Sequence, residues 1–195
     1  MVDQKGNIIH NKIYKRGNNK VGRMRMKKAI VWMLLMLLLT GCAGNVKSGV
    51  NLLKEKNYEE AVTVFQKDVK KGRNLDDAYR GLGIAYFELQ EYDSAAESFE
   101  LALDNDSKET AVIYGFLGAC YMELEEFNRA LDVYEKALDQ EDITAELEQE
   151  IQYNIIALYE QKGDWKAAKK QMEKYIKNYP DDSRVDKEAE FLETR

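Results

Sequence analysis

The sequence predicts an all-α fold, because helix-breaking residues are rare in it and charged residues are abundant. Proline occurs once, at Pro180, and only three glycines, Gly115, Gly118 and Gly163, follow residue 83. Charged side chains make up 33% of the chain, a share typical of helices with one solvated face. A short sequence pattern recurs at a nearly constant interval and divides the predicted helices into pairs.

The first segment, residues 1–23, is polar and basic, with glycine and asparagine scattered through it. Such a composition cannot bury a core, so we expect the segment to be disordered or to precede the true start of translation. Met24 and Met26 stand just before the next basic residues. Translation from either methionine would remove the segment.

Residues 24–41 have the composition of a secretory signal peptide. Arg25, Lys27 and Lys28 precede an uninterrupted apolar stretch of 11 residues, 29–39, and small residues follow it. This order of basic, apolar and small residues is the secretory pattern. A membrane-spanning helix needs about 20 apolar residues, so an uncleaved single-span anchor is the alternative and not the first choice.

The segment ends in Leu39, Thr40, Gly41 and Cys42, which resemble the lipobox of bacterial lipoproteins. In that family the cysteine thiol is acylated, the preceding peptide is removed, and the lipid caps the new N-terminus. The resemblance implies a lipid at Cys42 and an exported domain after it. A single-membrane bacterium would hold this domain on the outer face of its plasma membrane, and a double-membrane bacterium on a periplasmic face.

The uneven distribution of charge limits the choice of partners. Residues 1–41 contain nine basic residues and one acidic residue, which leaves 20 basic and 34 acidic residues after them and a net charge of −14. This charge repels nucleic acid and anionic headgroups. Nucleic-acid binding is therefore not expected.

The side chains of common catalytic and metal sites are missing after the leader. The only histidine, His10, lies within the leader, and Cys120 is the only cysteine besides Cys42. Histidine-dependent catalysis, zinc sites and, with Cys42 acylated, an intrachain disulfide are thus excluded. Cys120 is expected to pack as a small apolar residue. We expect a protein without enzymatic activity, metal or cofactor.

A pattern of polar, aromatic, polar, any residue and alanine recurs four times. Its alanines, Ala61, Ala95, Ala130 and Ala168, are 34, 35 and 38 residues apart. A period near 34 is typical of helix–turn–helix units that stack, because one unit cannot bury its apolar face alone. Turns are expected between the paired helices, at residues 90–91 and 125–126.

This pattern resembles the tetratricopeptide repeat. The family motif is met most closely in two units, 76–109 and 111–144. Its residues there are Tyr79, Leu82, Gly83, Tyr86, Ala95, Phe99 and Ala102, then Tyr114, Leu117, Gly118, Tyr121, Ala130, Tyr134 and Ala137. The resemblance implies a right-handed superhelical stack of about four repeats over residues 42–182, with degenerate outer units at 42–75 and 149–182.

Small residues in the motif are expected where two helices approach. We attribute Gly83 and Gly118 to the close approach of two helix backbones, with aromatic side chains filling the space one or two turns away. Residues 183–195 are expected to form a capping helix that covers the last repeat. Its apolar face would consist of Val185, Ala189 and Leu192.

Members of this family bind peptides or partner helices on a concave groove lined by the first helix of each repeat. By the family positions, the groove residues here are Arg80, Ile84, Phe87, Glu88, Met122, Glu123, Tyr153 and Glu160, with Val50, Leu53, Ala119 and Ala157 beside them. Phe87, Met122 and Tyr153 would be apolar anchors, and Glu88, Glu123 and Glu160 an acidic rim. The alternative is that some of these residues pack between adjacent repeats.

Taken together, these features predict a membrane-anchored, non-enzymatic interaction scaffold of the bacterial cell envelope. The groove suits a protein or peptide partner that carries apolar and basic residues. The alternatives are a self-associating structural module of an envelope complex and a regulatory subunit of an envelope enzyme.

Overall fold

The computed structural model describes residues 45–105 and 110–185, together with positions 189, 192 and 194. These residues form eight α-helices, and no strand occurs among them. In chain order the helices are α1 Asn45–Lys54, α2 Tyr58–Lys70, α3 Leu75–Glu88, α4 Tyr92–Asp104, α5 Ala111–Glu123, α6 Phe127–Leu138, α7 Ala145–Lys162 and α8 Trp165–Asn178. The prediction of an all-α fold is confirmed for this part of the chain.

The helices form four pairs, α1/α2, α3/α4, α5/α6 and α7/α8. Each helix packs against the next one along the chain, and the first helices of adjacent pairs also touch, α1 with α3, α3 with α5 and α5 with α7. Across the described residues, the second helices of adjacent pairs make no such contact. The first helices therefore line the inner side of the stack, and the second helices its outer side.

Within each of the two central pairs, a glycine of the first helix faces an aromatic ring of the second. A β-carbon at Gly83 would lie 2.7 Å from the ring of Phe99, and one at Gly118 would lie 2.3 Å from the ring of Tyr134. Separations this short do not occur for real β-carbons. The glycines make room for a ring, which corrects the expectation that they allow two backbones to approach.

The first pair is joined to the second by one ring that faces two glycines. β-Carbons at Gly49 of α1 and Gly81 of α3 would lie 2.5 and 2.3 Å from the ring of Phe65 of α2. Phe65 is fully buried. The degenerate first repeat thus docks on its neighbour through the same glycine–aromatic contact that closes the central repeats.

Helices α5, α7 and α8 begin after residues whose side chains cap the backbone, Thr110, Thr144 and Asp164. Thr110 and Thr144 accept hydrogen bonds at 3.3 Å from the amides of Ile113 and Leu147, which satisfies a donor that the first helical turn leaves free. Because Thr144 caps α7, this helix begins before residue 149, the predicted start of the fourth repeat, and reaches 18 residues.

The hydrophobic core continues from α1 into α7, and a second cluster closes the C-terminal end. This cluster consists of Tyr153, Ile156, Ala168, Met172, Tyr175, Val185 and Leu192, with Ala189 packed against it. Val185 and Leu192 are helical and only 4% and 2% exposed. The residues that follow α8 therefore cover apolar surface that a further repeat would otherwise bury.

The turn inside each pair holds one residue in the left-handed region of φ. The values are 62° at Lys56, 65° at Gln90, 61° at Glu125 and 76° at Gly163. Only glycine adopts this conformation without steric strain, and it is less favourable by about 1 kcal/mol for other residues. The first three turns therefore carry strain that the fourth does not.

Glu125→Gly is expected to raise the free energy of unfolding by about 1 kcal/mol, because it removes this strain. The matched control is Gly163→Ala, which is expected to lower it by about 1 kcal/mol through the backbone alone, since no atom lies within 4 Å of a β-carbon built there. Urea unfolding followed by circular dichroism measures both. Equal stability of the two variants would show that these turns are not strained.

None of the helices in the described ranges is both long enough and apolar enough to cross a membrane.

Candidate protein-binding surface

The predicted groove residues lie on the inner helices α3, α5 and α7, which the stack places side by side. Their apolar members are buried: Ile84, Phe87, Met122 and Tyr153 are 4%, 6%, 3% and 4% exposed. The expectation that Phe87, Met122 and Tyr153 are accessible anchors is therefore wrong. Packing between adjacent helices, the alternative reading of these residues, accounts for their burial.

Phe87 illustrates how the apolar groove positions are used. Its ring packs edge to face against Tyr92 at 5.4 Å and against Phe116 of the next repeat at 5.5 Å. Phe116 in turn stacks on Phe99 at 5.2 Å. These contacts join α3, α4 and α5 with geometries that aromatic pairs favour. Phe87 contributes to the cohesion of the stack.

The charged groove residues keep partial exposure. Arg80, Glu88, Glu123 and Glu160 are all less buried than the apolar members. Arg80 is already engaged, because its guanidinium pairs with Asp77 one turn earlier in α3. Burial and, to a smaller extent, the nearby carboxylate of Glu88 raise the pKa of the Tyr58 hydroxyl to about 12. Glu88 therefore lies next to a phenol of α2. The three glutamates of the predicted groove are therefore partly exposed.

A polar cluster at the C-terminal end of the stack, where the chain after α8 meets α7, was not anticipated from the sequence, and Arg184 organises it. The guanidinium donates to Glu150 at 2.7 Å, to Asp182 at 2.6 Å and to the Tyr175 hydroxyl at 2.8 Å. It also lies 4.6 Å from the centroid of the Tyr153 ring. One predicted groove anchor, Tyr153, is therefore covered by a basic side chain of the same chain.

The cluster lowers the pKa of one of its two carboxyl groups, that of Asp182. Burial opposes ionisation of Asp182, but hydrogen bonds from Arg184 and Tyr175 outweigh it and hold the pKa of Asp182 well below its usual range. Glu150 and Arg184 are 34 residues apart, one repeat period. Opposite charges at this separation are the sequence signal that could have indicated the contact.

A second feature missed by the sequence analysis is a hydrogen bond that recurs between repeats. Gln66 donates to the hydroxyl of Tyr86 at 3.0 Å, and one repeat later Tyr121 donates to Glu100 at 2.5 Å. Arg129 lies 4.0 Å over the Tyr121 ring and pairs with Glu100 at 2.6 Å. The motif tyrosines thus connect the second helix of one repeat to the first helix of the next.

Groups that could support chemistry are not brought together in the described residues. Cys120 is fully buried, and this burial raises the pKa of its thiol, which disfavours the reactive thiolate. No set of three or more histidine, cysteine, aspartate and glutamate side chains in the described part of the chain could hold a metal ion. The predicted lipobox, Leu39, Thr40, Gly41 and Cys42, lies outside the described residues.

These features define a helical-repeat protein in which pairs of helices stack through glycine–aromatic contacts. The chain matches family models described as Tetratricopeptide repeat over residues 47–110, 113–146 and 150–182. It is a tetratricopeptide-repeat (TPR) protein, as the motif residues predicted. TPR proteins bind protein partners, and the repeats of this chain are typical of interaction scaffolds. No curated protein matches it in sequence.

Solved structures support the same fold. The C-terminal part of a TPR repeat-containing protein from Cytophaga hutchinsonii has a TM-score of 0.66 and 26% identity, over 75% of this chain and 56% of that chain. MamA AMB-1 has a TM-score of 0.62 and 17% identity, over 76% and 78%. The "APC/C hetero-tetramer Cut9-Hcn1" has a TM-score of 0.61 and 16% identity, over 76% and 29%. The last two likenesses concern the fold alone.

Proposed function

We propose that this protein is a non-enzymatic scaffold of the bacterial cell envelope, anchored by a lipid at Cys42, that binds a protein or peptide partner on its inner helices. The repeat architecture supports the scaffold role. The segment from Leu39 to Cys42 supports the anchor. Such an anchor would hold the stack on the outer face of a plasma membrane, or on a periplasmic face where there are two membranes.

The contact of Arg184 with α7 carries the proposal for the partner's chemistry. It is an example, within this chain, of a basic side chain held against a first helix of a pair by a carboxylate, Glu150, and by an aromatic ring, Tyr153. Hydrogen bonds between charged groups are the stronger ones, and a ring face adds attraction for a cation. A partner with basic residues would meet comparable carboxylates at Glu88, Glu123 and Glu160.

Because the predicted apolar anchors are buried, apolar contacts contribute less to partner binding than the sequence predicts, and charge contributes more. Of the apolar groove positions, Val50 and Ala157 keep partial exposure, whereas Leu53 and Ala119 are buried with the others. Recognition therefore depends on charge more than on apolar anchors. A basic partner would associate quickly and with a strong dependence on salt.

Affinity capture from native membranes tests the inner face. The triple variant Glu88→Gln, Glu123→Gln and Glu160→Gln is expected to lose the captured partner, because three carboxylates are neutralised with little change in shape. Partners are identified by mass spectrometry. The variant's circular dichroism and melting temperature are measured in parallel, so that a loss of folding is not mistaken for a loss of binding.

The matched control is Glu60→Gln, Glu91→Gln and Glu141→Gln, which removes the same charge at three exposed positions away from the inner face. It should capture the partner as well as the wild type does. Equal capture by both triple variants would contradict the proposed surface. Equal loss in both would mean that net charge, and not the inner face, controls binding.

The lipid anchor is tested separately by mass spectrometry of the N-terminal peptide. We expect an acylated Cys42 as the first residue of the wild-type protein, and for Cys42→Ser an unacylated protein that keeps its leader. Membrane association alone does not discriminate, because an uncleaved apolar segment also binds membranes. A wild-type peptide that runs unbroken through Gly41, Cys42 and Ala43 would overturn the proposal in favour of a single-span anchor.

A further inference from the structure

The outer helix at the C-terminal end of the stack carries a row of lysines. Lys166, Lys170, Lys174 and Lys177 of α8 are all exposed, and spacings of three and four residues place them on one side of the helix. Within the described residues, no ion pair or hydrogen bond engages them. Glu173 is exposed on the same side, so the row of four lysines and one glutamate carries a net charge of +3 on a chain whose net charge after the leader is −14.

Acidic residues occupy the same repeat positions in α4. Three of the lysine positions in α8 correspond to acids when the two helices are aligned at their first residues, Trp165 and Tyr92. The pairs are Lys166 with Asp93, Lys170 with Glu97 and Lys177 with Asp104. The three acids are exposed as well, and each row extends about 16 Å along its helix. The outer surface therefore presents two rows of equal length and opposite charge.

We propose that a second copy of this chain binds here, with the lysine row of α8 in one copy against the acidic row of α4 in the other. Complementary charges at matching intervals set the orientation of such a contact. The two surfaces differ, so each bound copy still has one free row, and copies continue head to tail. The contact uses the outer helices and is independent of the proposed partner on the inner helices.

An anionic membrane surface is the competing occupant of the lysine row. The fold argues against it, because α8 is the last helix of the stack whereas Cys42 directly precedes α1, the first. The acidic row of α4 would also be repelled by anionic headgroups. A second copy supplies opposite charge without this cost.

The test uses two differently tagged copies of the full-length protein, extracted in mild detergent, and measures how much of one is captured with the other. The basic-row variant is Lys166→Glu, Lys170→Glu and Lys177→Glu, and the acidic-row variant is Asp93→Lys, Glu97→Lys and Asp104→Lys. Each variant alone should show at least about a tenfold loss of self-capture, because like charges then face each other. A mixture of the two should recover capture, because the reversed rows are again complementary.

Several results would overturn the proposal. One is self-capture by either variant at the wild-type level. Another is a mixture that does not recover capture although both variants keep wild-type circular dichroism. Loss of binding to vesicles containing phosphatidylglycerol in the basic-row variant, with self-capture unchanged, would assign the lysines to a membrane.

Self-capture by the wild type should fall between about 0.1 M and 1 M salt, where the Debye screening length shortens from about 10 Å to about 3 Å. The inner-face variant Glu88→Gln, Glu123→Gln and Glu160→Gln should retain self-capture, which separates this proposal from the proposed function.

Discussion

Gly118→Ala is expected to lower the free energy of unfolding by about 2 kcal/mol. The added β-carbon would lie 2.3 Å from the Tyr134 ring, which is fully buried and cannot swing away. Overpacking of this kind costs about 1–3 kcal/mol or more, against a gain of about 1 kcal/mol from the better helix propensity of alanine. Urea unfolding followed by circular dichroism measures the difference. Gly83→Ala should cost less, because its β-carbon would be 2.7 Å from Phe99.

A second background identifies the ring as the cause. Tyr134→Leu removes the ring atoms Cε1 and Cζ, which are among the nearest neighbours of the added β-carbon. In that background Gly118→Ala should cost less than about 1 kcal/mol, so the two substitutions should be strongly non-additive. The same cost in both backgrounds would show that the helix backbones, and not the ring, require the glycine.

The repeat period made most of the fold predictable. The turns at residues 90–91 and 125–126, the all-α class and the small–large pairs follow from a local pattern that each unit must satisfy to stack on the next. Gly83 and Gly118 were correctly placed at helix contacts, although for the wrong reason. Spacing indicates which residues face a neighbouring helix, but it does not indicate which atom of that neighbour they meet.

The candidate surface was less predictable, for two physical reasons. Phe87 and Met122 lie at family groove positions, but whether such a residue is open or covered depends on side chains of other helices, such as Tyr92 and Phe116. Arg184 reaches Glu150 across 34 residues, a contact that depends on how the chain turns after Pro180. Charge at the groove was predictable from residue type, whereas accessibility was not.

Arg184→Ala is expected to destabilise the fourth repeat by about 2 kcal/mol, because it leaves the carboxylates of Glu150 and Asp182 without their cation. These carboxylates are only 14% and 10% exposed, and breaking a buried pair costs about 3–5 kcal/mol, a value reduced here by partial contact with solvent. Arg184→Lys should recover only part of the loss, because an ammonium cannot donate to several partners in the fixed geometry of a guanidinium.

The effect should be local. Trp165 packs against the C-terminal cluster, and the only other tryptophan, Trp32, lies before Cys42. In a domain of residues 43–195, fluorescence therefore reports on the fourth repeat and circular dichroism on the whole stack. For Arg184→Ala, the fluorescence transition in urea should precede the loss of helical signal, because terminal repeats of a stack can unfold separately. Coincident transitions at the wild-type midpoint would contradict a stabilising role for Arg184.

The same cluster gives the fourth repeat an acid dependence whose sign follows from Asp182. Its pKa is lowered in the folded protein, so the stabilisation is fully present above the unfolded value of about 3.9 and is lost as the pH falls below it. The stability difference between the wild type and Asp182→Asn should therefore be constant near neutral pH and shrink below about pH 4. A difference that persists unchanged in acid would mean that Asp182 acts through packing and not through its charge. The chain after Pro180 is held against α7 by this carboxylate together with Tyr175 and Arg184. Loss of the ion pair in acid would therefore uncover Tyr153, the predicted groove residue over which Arg184 lies.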